Sequence, residues 1–531
     1  MVSTNHPLAS AAGVEILAKG GNAIDAAVGA IFCLTVVEPN AVGIFGAGFF
    51  VIHIGSTGEI VTYDNYARAP ASASANMYET DDASGPMETI GKGNRIGHLS
   101  VGVPGALAAW CHALRIYGRL DLEAILEPAV RYAEMGFEVT PLLASYLHRE
   151  KENLLRFPAS RAIFFPGNRS LKPKEILIQS DYGDTLRRIG KKGSDTLYHG
   201  LLGEAVSDEM KSNGGIITAG DLGRYNLQAR KPVRGTYRGY EVVSVGPASS
   251  GGIHVVQALN LLEHFDVGGM EFGSAPYFHL ILEVLKVCWI DRFAYLGDPD
   301  IVDIPLNELT SKEYAAKRAR QLDMGHAQSF QPGTFVNLNH ESTSTTHVTT
   351  ADDEGNLVTT TQTLNESFGS RVVVPGTGML LNNCMALFDP HSGRPNSIGP
   401  SKRMISSMAP TVILKDGQPF FGLGAPGGTR IFAAVLQAII NVIDHKMTLQ
   451  QSVEASRVWT QGKIVEVEDA VGPEVINELG VKGHEVLVVP KVAGGMNGVM
   501  FDQAGLIYGA ACWRADGSPV GISGGSAAKL G

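Results

Sequence analysis

A threonine at the start of a strand has the clearest potential for chemistry in this sequence. In the stretch from Glu341 to Asn365, a polar run ends at Thr345, and β-branched residues then alternate with a period of two. If the chain were cut just before Thr345, that residue would present a hydroxyl nucleophile and a free α-amine together. An α-amine titrates near about 7.7 to 8.0, close to where a general base works best at neutral pH. A threonine with its own terminal amine is a known activated pair.

The same stretch also has a purely structural interpretation. The turn-forming residues 352–356 separate two β-branched runs, which predicts a β-hairpin. Thr363 and Asn365 are two residues apart in the second run and would lie on one face of the sheet. Thr-rich strands are common because threonine suits pleated surfaces. These residues alone therefore leave open whether the hairpin is catalytic.

A glycine pair before an apolar helix is the second candidate for chemistry. Gly427 and Gly428 precede a helix predicted from Arg430 to about His445. Backbone N–H groups at such a helix start are free to face an anion, so the pair predicts either an oxyanion hole or a plain tight turn. The phosphate-loop pattern GxxxxGK[ST] is absent, and the glycines between 43 and 48 do not fit GxGxxG.

Helices and strands alternate around these candidates along the whole chain. The patterns predict helices over 8–19, 23–35, 251–265 and 275–295 and helical structure over 104–136. They also predict strands over 49–54, 60–64 and parts of 483–513, and a hairpin over 411–423 that turns at Asp416-Gly417. The polar segment 325–344, which leads directly into Thr345, is predicted to be a loop. No clean domain boundary is visible between 157 and 225.

Composition restricts the partners and the compartment. Lysine and arginine number 43 against 53 acidic residues, for a net charge of −10 and no long basic run, which argues against nucleic acid and anionic membranes as partners. Five scattered cysteines without a CxxC spacing argue for a reducing compartment and against a zinc site. No secretory signal follows Met1, and the apolar run 26–37 is too short to span a bilayer. A cytoplasmic protein is expected, or a periplasmic one if an export signal was removed.

An ordered series of motifs resembles one known family. The motifs are His6-Pro-Leu-Ala-Ser10, Gly20-Gly-Asn-Ala-Ile-Asp-Ala-Ala27, Pro104-Gly, Glu341-Ser-x-x-Thr345-Thr-His347, Gly355-Asn356, Thr363-Leu-Asn365, Phe368-Gly, Leu380-Leu-Asn-Asn383, Ser406-Ser-Met-x-Pro410 and Pro426-Gly-Gly-x-Arg430. Over almost its whole length, the chain is similar to the γ-glutamyltransferase (γ-glutamyltranspeptidase) family of N-terminal nucleophile hydrolases.

The resemblance implies an α/β fold, a four-layer αββα sandwich formed by residues 1–531 as a single intertwined domain. It also implies self-cleavage between Ser344 and Thr345. The products would be a large subunit, 1–344, and a small subunit, 345–531, which stay associated; further oligomerisation is left open. No metal or organic cofactor is called for.

The resemblance also assigns roles to individual residues. The family's catalytic roles fall on the nucleophile Thr345, on Thr363, which tunes it, and on the oxyanion-hole pair Gly427 and Gly428. The acyl-pocket roles fall on Asn365, Ser406 and Ser407. A small-molecule amide would then pass its acyl group through an ester on Thr345 to water or to an amine acceptor.

Two departures from the family pattern concern the substrate's head group. Tyr66 stands where the family has its glutamate-binding arginine, and Arg68 lies two residues further along. After the LLNN motif, Cys384 and Leu387 replace a glutamine and the aspartate that pairs with the substrate's α-ammonium group. Leaving such a cation unpaired in a pocket costs a few kcal/mol. These replacements predict weak binding of γ-glutamyl substrates.

Three hypotheses follow from the sequence. The first is a γ-glutamyltransferase-like amidohydrolase acting on an amide without the amino-acid head group, such as an oxamate-type amide or a glutaryl or cephalosporin side chain. The second is an authentic γ-glutamyl hydrolase or transpeptidase, acting on glutathione-like compounds and holding glutamate with Arg68. The third is an unprocessed, non-catalytic binding protein, and the intact Thr345, His347 and glycine pair argue against it.

For two further residues near the motifs, a structural role is favoured over a catalytic one. Cys384 could act as a thiol nucleophile, but no histidine at a telling spacing supports it, so a pocket-lining role is favoured. His347 lies two residues after Thr345. A packing role in the strand is favoured over a general base, because the α-amine of Thr345 would already fill that role.

Overall fold

The architecture is given by a computed structural model that describes residues 1–85, 87–330 and 344–523. Part of the predicted polar loop, 331–343, including Glu341, lies outside these ranges. The α-helices are α1 Pro7–Ala18, α2 Ala23–Val37, α3 Ala106–Tyr117, α4 Leu122–Met135, α5 Pro141–Arg149, α6 Lys151–Leu155, α7 Pro158–Phe164, α8 Ser180–Lys192, α9 Asp195–Tyr198, α10 Leu201–Ser212, α11 Ala219–Gly223, α12 Gly251–Leu262, α13 Ala275–Tyr295, α14 Leu306–Leu309, α15 Lys312–Ala319, α16 Ile431–Ile443, α17 Leu449–Glu454 and α18 Pro473–Val481.

The strands form two large sheets and two small ones. They are β1 Val2–Thr4, β2 Ala47–His53, β3 Ile60–Asp64, β4 Phe137–Glu138, β5 Ile176–Leu177, β6 Gln228–Arg230, β7 Val233–Tyr237, β8 Tyr240–Ser244, β9 Thr346–Ala351, β10 Leu357–Thr363, β11 Thr411–Lys415, β12 Gln418–Gly424, β13 Val458–Thr460, β14 Ile464–Glu468, β15 Glu485–Val489, β16 Asn497–Phe501, β17 Ile507–Ala511 and β18 Ser518–Val520. The large sheets have the orders β18-β1-β9-β10-β2-β3-β6 and β17-β16-β12-β11-β8-β7.

The two large sheets pack face to face between two layers of helices. Strands β9 and β10 contact β12 and β16 across the interface. Helices α1 and α2 cover the outer face of the seven-stranded sheet, and α12 and α16 cover the six-stranded one. Apolar residues fill the space on both sides of each sheet. The result is the predicted αββα order of layers.

Both large sheets contain strands from before and after the Ser344–Thr345 bond. In the seven-stranded sheet, β9 and β10 lie between β1 and β2, and their pairing is antiparallel throughout. In the six-stranded sheet, β11 pairs with β8. Neither part of the chain can therefore form a complete large sheet without the other.

Several local predictions are confirmed, and the helical region 104–136 is subdivided. The hairpin of β9 and β10 forms with Thr346 opposite Gln362. Helix α2 begins at a capping box in which Asn22 and Asp25 satisfy each other's backbone N–H groups, and every residue of the helix is buried. The helical structure predicted over 104–136 consists of two helices, α3 and α4, because the chain turns at Gly118, where α3 ends. Among the described residues, no helix combines the length and the apolar character that crossing a bilayer requires.

The imidazole of His347, on β9, lies against Gly424 of the other large sheet and is held by threonine hydroxyls of the neighbouring strand β10. Its Nδ1 lies 2.8 Å from Thr361 Oγ1, and its Nε2 lies 3.0 Å from Thr359 Oγ1. Burial lowers the pKa of His347 to about 3, so the imidazole is neutral. Its contacts are those of the packing residue that the sequence favours.

Gly424 leaves room for this imidazole, which makes it a test of the packing. A Cβ at Gly424 would lie 2.3 Å from His347 Cε1, and the hydrogen bonds of His347 prevent the ring from moving away. We expect Gly424→Ala to lower the free energy of unfolding by about 1–3 kcal/mol, measured by urea denaturation. The matched control is Gly422→Ala in the same strand, where the nearest atom, on Leu357, is 3.2 Å away. Equal losses in both variants would contradict this account.

Candidate functional site

The Ser344–Thr345 peptide bond lies in the protein interior, immediately before β9. Ser344 is 1% exposed and Thr345 is 4% exposed. Thr345 Oγ1 lies 3.1 Å from Thr363 Oγ1, and Thr363 Oγ1 donates to the carbonyl oxygen of Ser344 at 2.8 Å. The candidate nucleophile, the residue expected to tune it and the candidate scissile carbonyl therefore belong to one hydrogen-bonded group.

A count of protons gives the direction of these hydrogen bonds. A hydroxyl carries one proton and two lone pairs. Thr363 Oγ1 accepts from the backbone N–H of Asn365 at 2.7 Å and gives its proton to Ser344 O. Thr345 Oγ1 must then donate to Thr363. The relay orients the Thr345 oxygen and polarises the carbonyl group directly before it.

Asn365 differs from its predicted position on the strand face. Strand β10 ends at Thr363, and Asn365 has a φ of +84°, which turns the chain away from the sheet. The prediction that Asn365 lies on the same strand face as Thr363 is therefore wrong. Its link to Thr363 comes from the backbone N–H instead, while its side chain donates to the carbonyl oxygen of Asn383 at 3.0 Å.

The glycine pair has two free backbone N–H groups, and its first member lies at the cavity beside the same bond. Gly427 and Gly428 have φ values of +138° and +57°, which favour glycine. Within the described residues, no acceptor receives a hydrogen bond from either N–H group. Gly427 lines a cavity together with Ser344 and Thr345. This is the arrangement that an oxyanion hole needs.

Gly427 also could not carry a side chain. A Cβ there would lie 2.7 Å from the backbone of Ala493. The turn is followed by a short 3-10 helix, Gly428–Arg430, which leads into α16 as the sequence pattern predicts.

Tyr66 occupies a closed position beside the Ser406 segment. It is 2% exposed, and its ring stacks on Phe49 with the centroids 5.1 Å apart. Burial raises the pKa of its phenol, which the neighbouring Ser406 hydroxyl and the positive charge of Arg292 partly oppose. Tyr66 and Ser406 are therefore close together, as expected for two residues of one pocket.

A buried arginine that the sequence analysis did not single out holds the Ser406-Ser407 segment. Arg292 in α13 donates to the Ser406 carbonyl oxygen at 2.9 Å and also to the Ser250 hydroxyl. Burial lowers its pKa to about 10. An arginine within a mostly apolar helical pattern was the available signal. Ser407 is 6% exposed and follows this anchored residue.

Arg68 lies among charged groups outside the predicted acyl pocket. Its guanidinium carbon lies 5.9 Å from the ring centroid of Tyr225. Burial, and then Arg403, lower its pKa, while Asp64 and Asp298 oppose them. None of these charged neighbours is a predicted acyl-pocket residue.

Cys384 and Leu387 lie at the two ends of a single 3-10 turn, Cys384–Leu387. Cys384 is fully buried, and burial raises the pKa of its thiol, which disfavours the reactive thiolate. Leu387 is partly buried against the large core, and its uncharged side chain cannot form an ion pair with a cationic substrate group.

A second residue absent from the sequence predictions, Glu38, lines the cavity at Thr345. Its position directly after the apolar helix α2 was the only sequence signal. Whether such a carboxyl is exposed or buried depends on residues far away in the chain.

One cluster among the described residues has the donor types of a metal site. His279, Glu283 and His484 are buried, with candidate ligand atoms within 4.8 Å of one another. Glu283 is already paired with Lys286 at 2.6 Å, and His279 Nδ1 lies 2.8 Å from His484 Nε2. These groups also bind the backbone of residues 323 and 328.

Comparison with known sequences gives matches over nearly the whole chain. The family model described as gamma-glutamyltranspeptidase matches residues 9–522. The Acylase ACY 1 proenzyme of Pseudomonas sp. (strain SE83) is 48% identical over 529 residues, covering 99% of this chain and 94% of the relative. The glutathione hydrolase proenzyme of Escherichia coli (strain K12) is 37% identical over 527 residues, covering 96% and 89%.

Comparison with solved structures gives the same fold. The cephalosporin acylase from Bacillus halodurans superposes with a TM-score of 0.89 at 30% identity, covering 99% of this chain and 96% of that one. Agreement over both full lengths confirms the predicted four-layer α/β fold.

Proposed function

The chain belongs to the γ-glutamyltranspeptidase family, and on that premise we propose that it is a self-processing acylase with Thr345 as its nucleophile. The observation that carries the proposal is the hydrogen-bond relay from Thr345 through Thr363 to the Ser344 carbonyl oxygen. The relay holds the Thr345 hydroxyl oxygen and the Ser344 carbonyl group together, which supports attack of the one on the other. The names of the relatives, acylase proenzyme and glutathione hydrolase proenzyme, support an enzyme made as a precursor.

In the proposed maturation, Thr345 Oγ1 attacks the Ser344 carbonyl carbon. The bond between that carbon and the Thr345 nitrogen breaks, which leaves an ester on Thr345 Oγ1 and a free α-amine. Water then hydrolyses the ester. The products are the chains 1–344 and 345–531, and strand pairing between them in both large sheets holds them together.

In the proposed turnover, the same oxygen attacks the carbonyl group of an amide substrate. The α-amine of Thr345 takes the hydroxyl proton, since its ordinary pKa of about 7.7 to 8.0 suits a base at neutral pH. The free N–H groups of Gly427 and Gly428 stabilise the oxyanion. An amine leaves, and water or an acceptor amine removes the acyl group from Thr345.

For the substrate, we propose an acyl amide without the amino-acid head group, of the glutaryl, cephalosporin side-chain or oxamate type. Tyr66 and Leu387 offer no charge of the kind that would hold a glutamate head group, and Arg68 faces Arg403 and Asp64 instead. The 48% identity to an acylase and the similarity to a cephalosporin acylase also support this choice. The test compares hydrolysis of glutaryl anilide, γ-glutamyl anilide and oxamate. Preferential γ-glutamyl turnover would instead favour a γ-glutamyl hydrolase.

Leu387→Asp gives this proposal a directed test. Glutaryl and γ-glutamyl anilides differ only by the α-ammonium group, so a carboxylate that pairs with it changes only one of the two substrates. We expect the ratio of kcat/KM for γ-glutamyl over glutaryl anilide to rise about 10-fold to 30-fold, as for one hydrogen bond to a charged group. Leu387→Asn, of the same size without the charge, is the control. An equal rise in both variants would contradict the assignment of this position.

A further inference from the structure

Glu38 has an unusual position, because it ends α2 and lines the same cavity as the Ser344–Thr345 bond. The Thr346 hydroxyl faces its carboxyl group. The two groups interact, but within the described residues the buried atoms Glu38 Oε2 and Thr346 Oγ1 have no well-aligned hydrogen-bond partner. Buried polar atoms are rarely left without a partner. This pair therefore marks a place where a water molecule or a transferred proton is accommodated, one residue from the scissile nitrogen.

The surroundings of Glu38 keep its carboxyl group in the acid form at neutral pH. Burial, and to a smaller extent Asp516, raise its pKa to about 8, against the smaller effects of Thr346 and Asn5. The other titratable or charged side chains of the cavity are Tyr146, Arg430, Lys491 and Arg514. Arg514 is paired with Glu468, and Lys491 donates to a backbone carbonyl group.

Glu38 is also the only carboxyl group among the described residues that line this cavity. His347, two residues after Thr345, is held between the sheets by threonine hydroxyls and is neutral. The Thr363 hydroxyl already donates its proton to the Ser344 carbonyl oxygen, on the other side of the bond from the nitrogen. The nitrogen side thus has one candidate for proton transfer.

We propose that Glu38 is the acid–base group for the amine side of the reaction, giving a proton to the Thr345 nitrogen during maturation and to the leaving amine during turnover. This inference rests on the proposed function. In maturation, Thr345 Oγ1 bonds to the Ser344 carbonyl carbon as the bond to nitrogen breaks. Glu38 gives its proton to that nitrogen, and the proton released by Oγ1 returns to the carboxylate through water in the cavity. In turnover, the α-amine of Thr345 takes the Oγ1 proton and Glu38 protonates the leaving amine; the proton on the α-amine then passes to the Glu38 carboxylate through the same water, so each cycle leaves Glu38 as it began.

The pH dependence of maturation isolates this group. In the precursor, Thr345 has no α-amine, so its titration cannot contribute to the first cleavage. We expect the rate constant for conversion of the purified precursor to fall as the pH rises through about 8, because the acid form of Glu38 is the proton donor. The measurement is quantitative denaturing electrophoresis over pH 6 to 10, roughly the range around that pKa.

Substitutions provide the second readout. We expect Glu38→Gln to slow maturation by about 100-fold or more and to abolish the fall near pH 8, with kcat reduced more than KM is changed. Glu38→Asp keeps a carboxyl group and should retain a pH-dependent rate. Glu283→Gln is the control, since that buried carboxyl group also has a raised pKa but does not line the cavity. Circular dichroism establishes that each variant is folded.

The outcomes separate the two proposals. Maturation of Glu38→Gln within about twofold of the wild-type rate, with an unchanged pH profile, would overturn the role of Glu38 alone, because general acids contribute far more than that. If Glu38→Gln does not fold, the pH profiles of the wild type and of Glu38→Asp provide the test. A maturation rate that does not change between pH 7 and pH 9, about one unit either side of the Glu38 pKa, would overturn the role of Glu38. A wild-type precursor that is never cleaved before Thr345 would instead overturn the proposed function.

Discussion

Thr345→Ala is expected to leave the protein as one chain of 56.4 kDa with no measurable amide hydrolysis. The variant lacks the oxygen that attacks the Ser344 carbonyl group, so neither the ester nor the free α-amine forms. Removing a nucleophile that acts together with its base costs on the order of 10⁴-fold or more in rate. Alanine is smaller, and the site lies at a strand start, so the fold should persist. Denaturing electrophoresis and anilide hydrolysis measure the two effects.

Thr345→Ser is the matched control for this substitution, because it keeps the hydroxyl group and loses only a methyl group. It should still mature and turn over, more slowly than the wild type. Normal two-chain processing of Thr345→Ala would show that cleavage uses another nucleophile, and activity in its uncleaved chain would show that turnover does.

Thr363→Val is expected to slow maturation by on the order of 10³-fold, the upper range for loss of one donor at a developing oxyanion. Valine has nearly the shape of threonine but cannot donate to Ser344 O or accept from Thr345 Oγ1. It also leaves the Asn365 N–H without its acceptor. The measurement is the first-order rate of appearance of the two chains from purified precursor.

Thr360→Val controls for the loss of a buried threonine hydroxyl from the same strand. Its Oγ1 donates to the Phe49 carbonyl oxygen at 2.8 Å, away from the Thr345 relay, and it is equally buried. It should mature at a rate close to wild type. If both variants mature at the same rate, the relay has no role in the cleavage.

The parts of this structure that follow a local pattern were predictable from the sequence. The hairpin around Thr345 follows from alternating β-branched residues and an acidic, glycine-containing turn. Helix α13 follows from its helical periodicity, and the turn at the glycine pair follows from its position before the apolar helix α16. The order of the motifs placed the chain in its family, because each motif is short but the series is specific.

Features that depend on distant residues were not predictable. The pattern around Asn365 predicts strand, yet its φ of +84° is set by the packing of the turn against Asn383. The burial of Glu38 results from the end of α2 meeting the start of β9. The role of Arg292 could not be predicted, because periodicity shows that a helix has a buried face. It does not show which polar side chain on that face contacts a pocket.

The most direct test of the central claim is intact-mass analysis and N-terminal sequencing of wild-type protein, before and during turnover of glutaryl anilide at low temperature. The account predicts two chains, residues 1–344 and 345–531, with threonine at the start of the smaller one. It also predicts that the smaller chain transiently gains the mass of the glutaryl group on Thr345. A chain that remains whole while it hydrolyses the anilide, or an acyl group attached to any other residue, would contradict it.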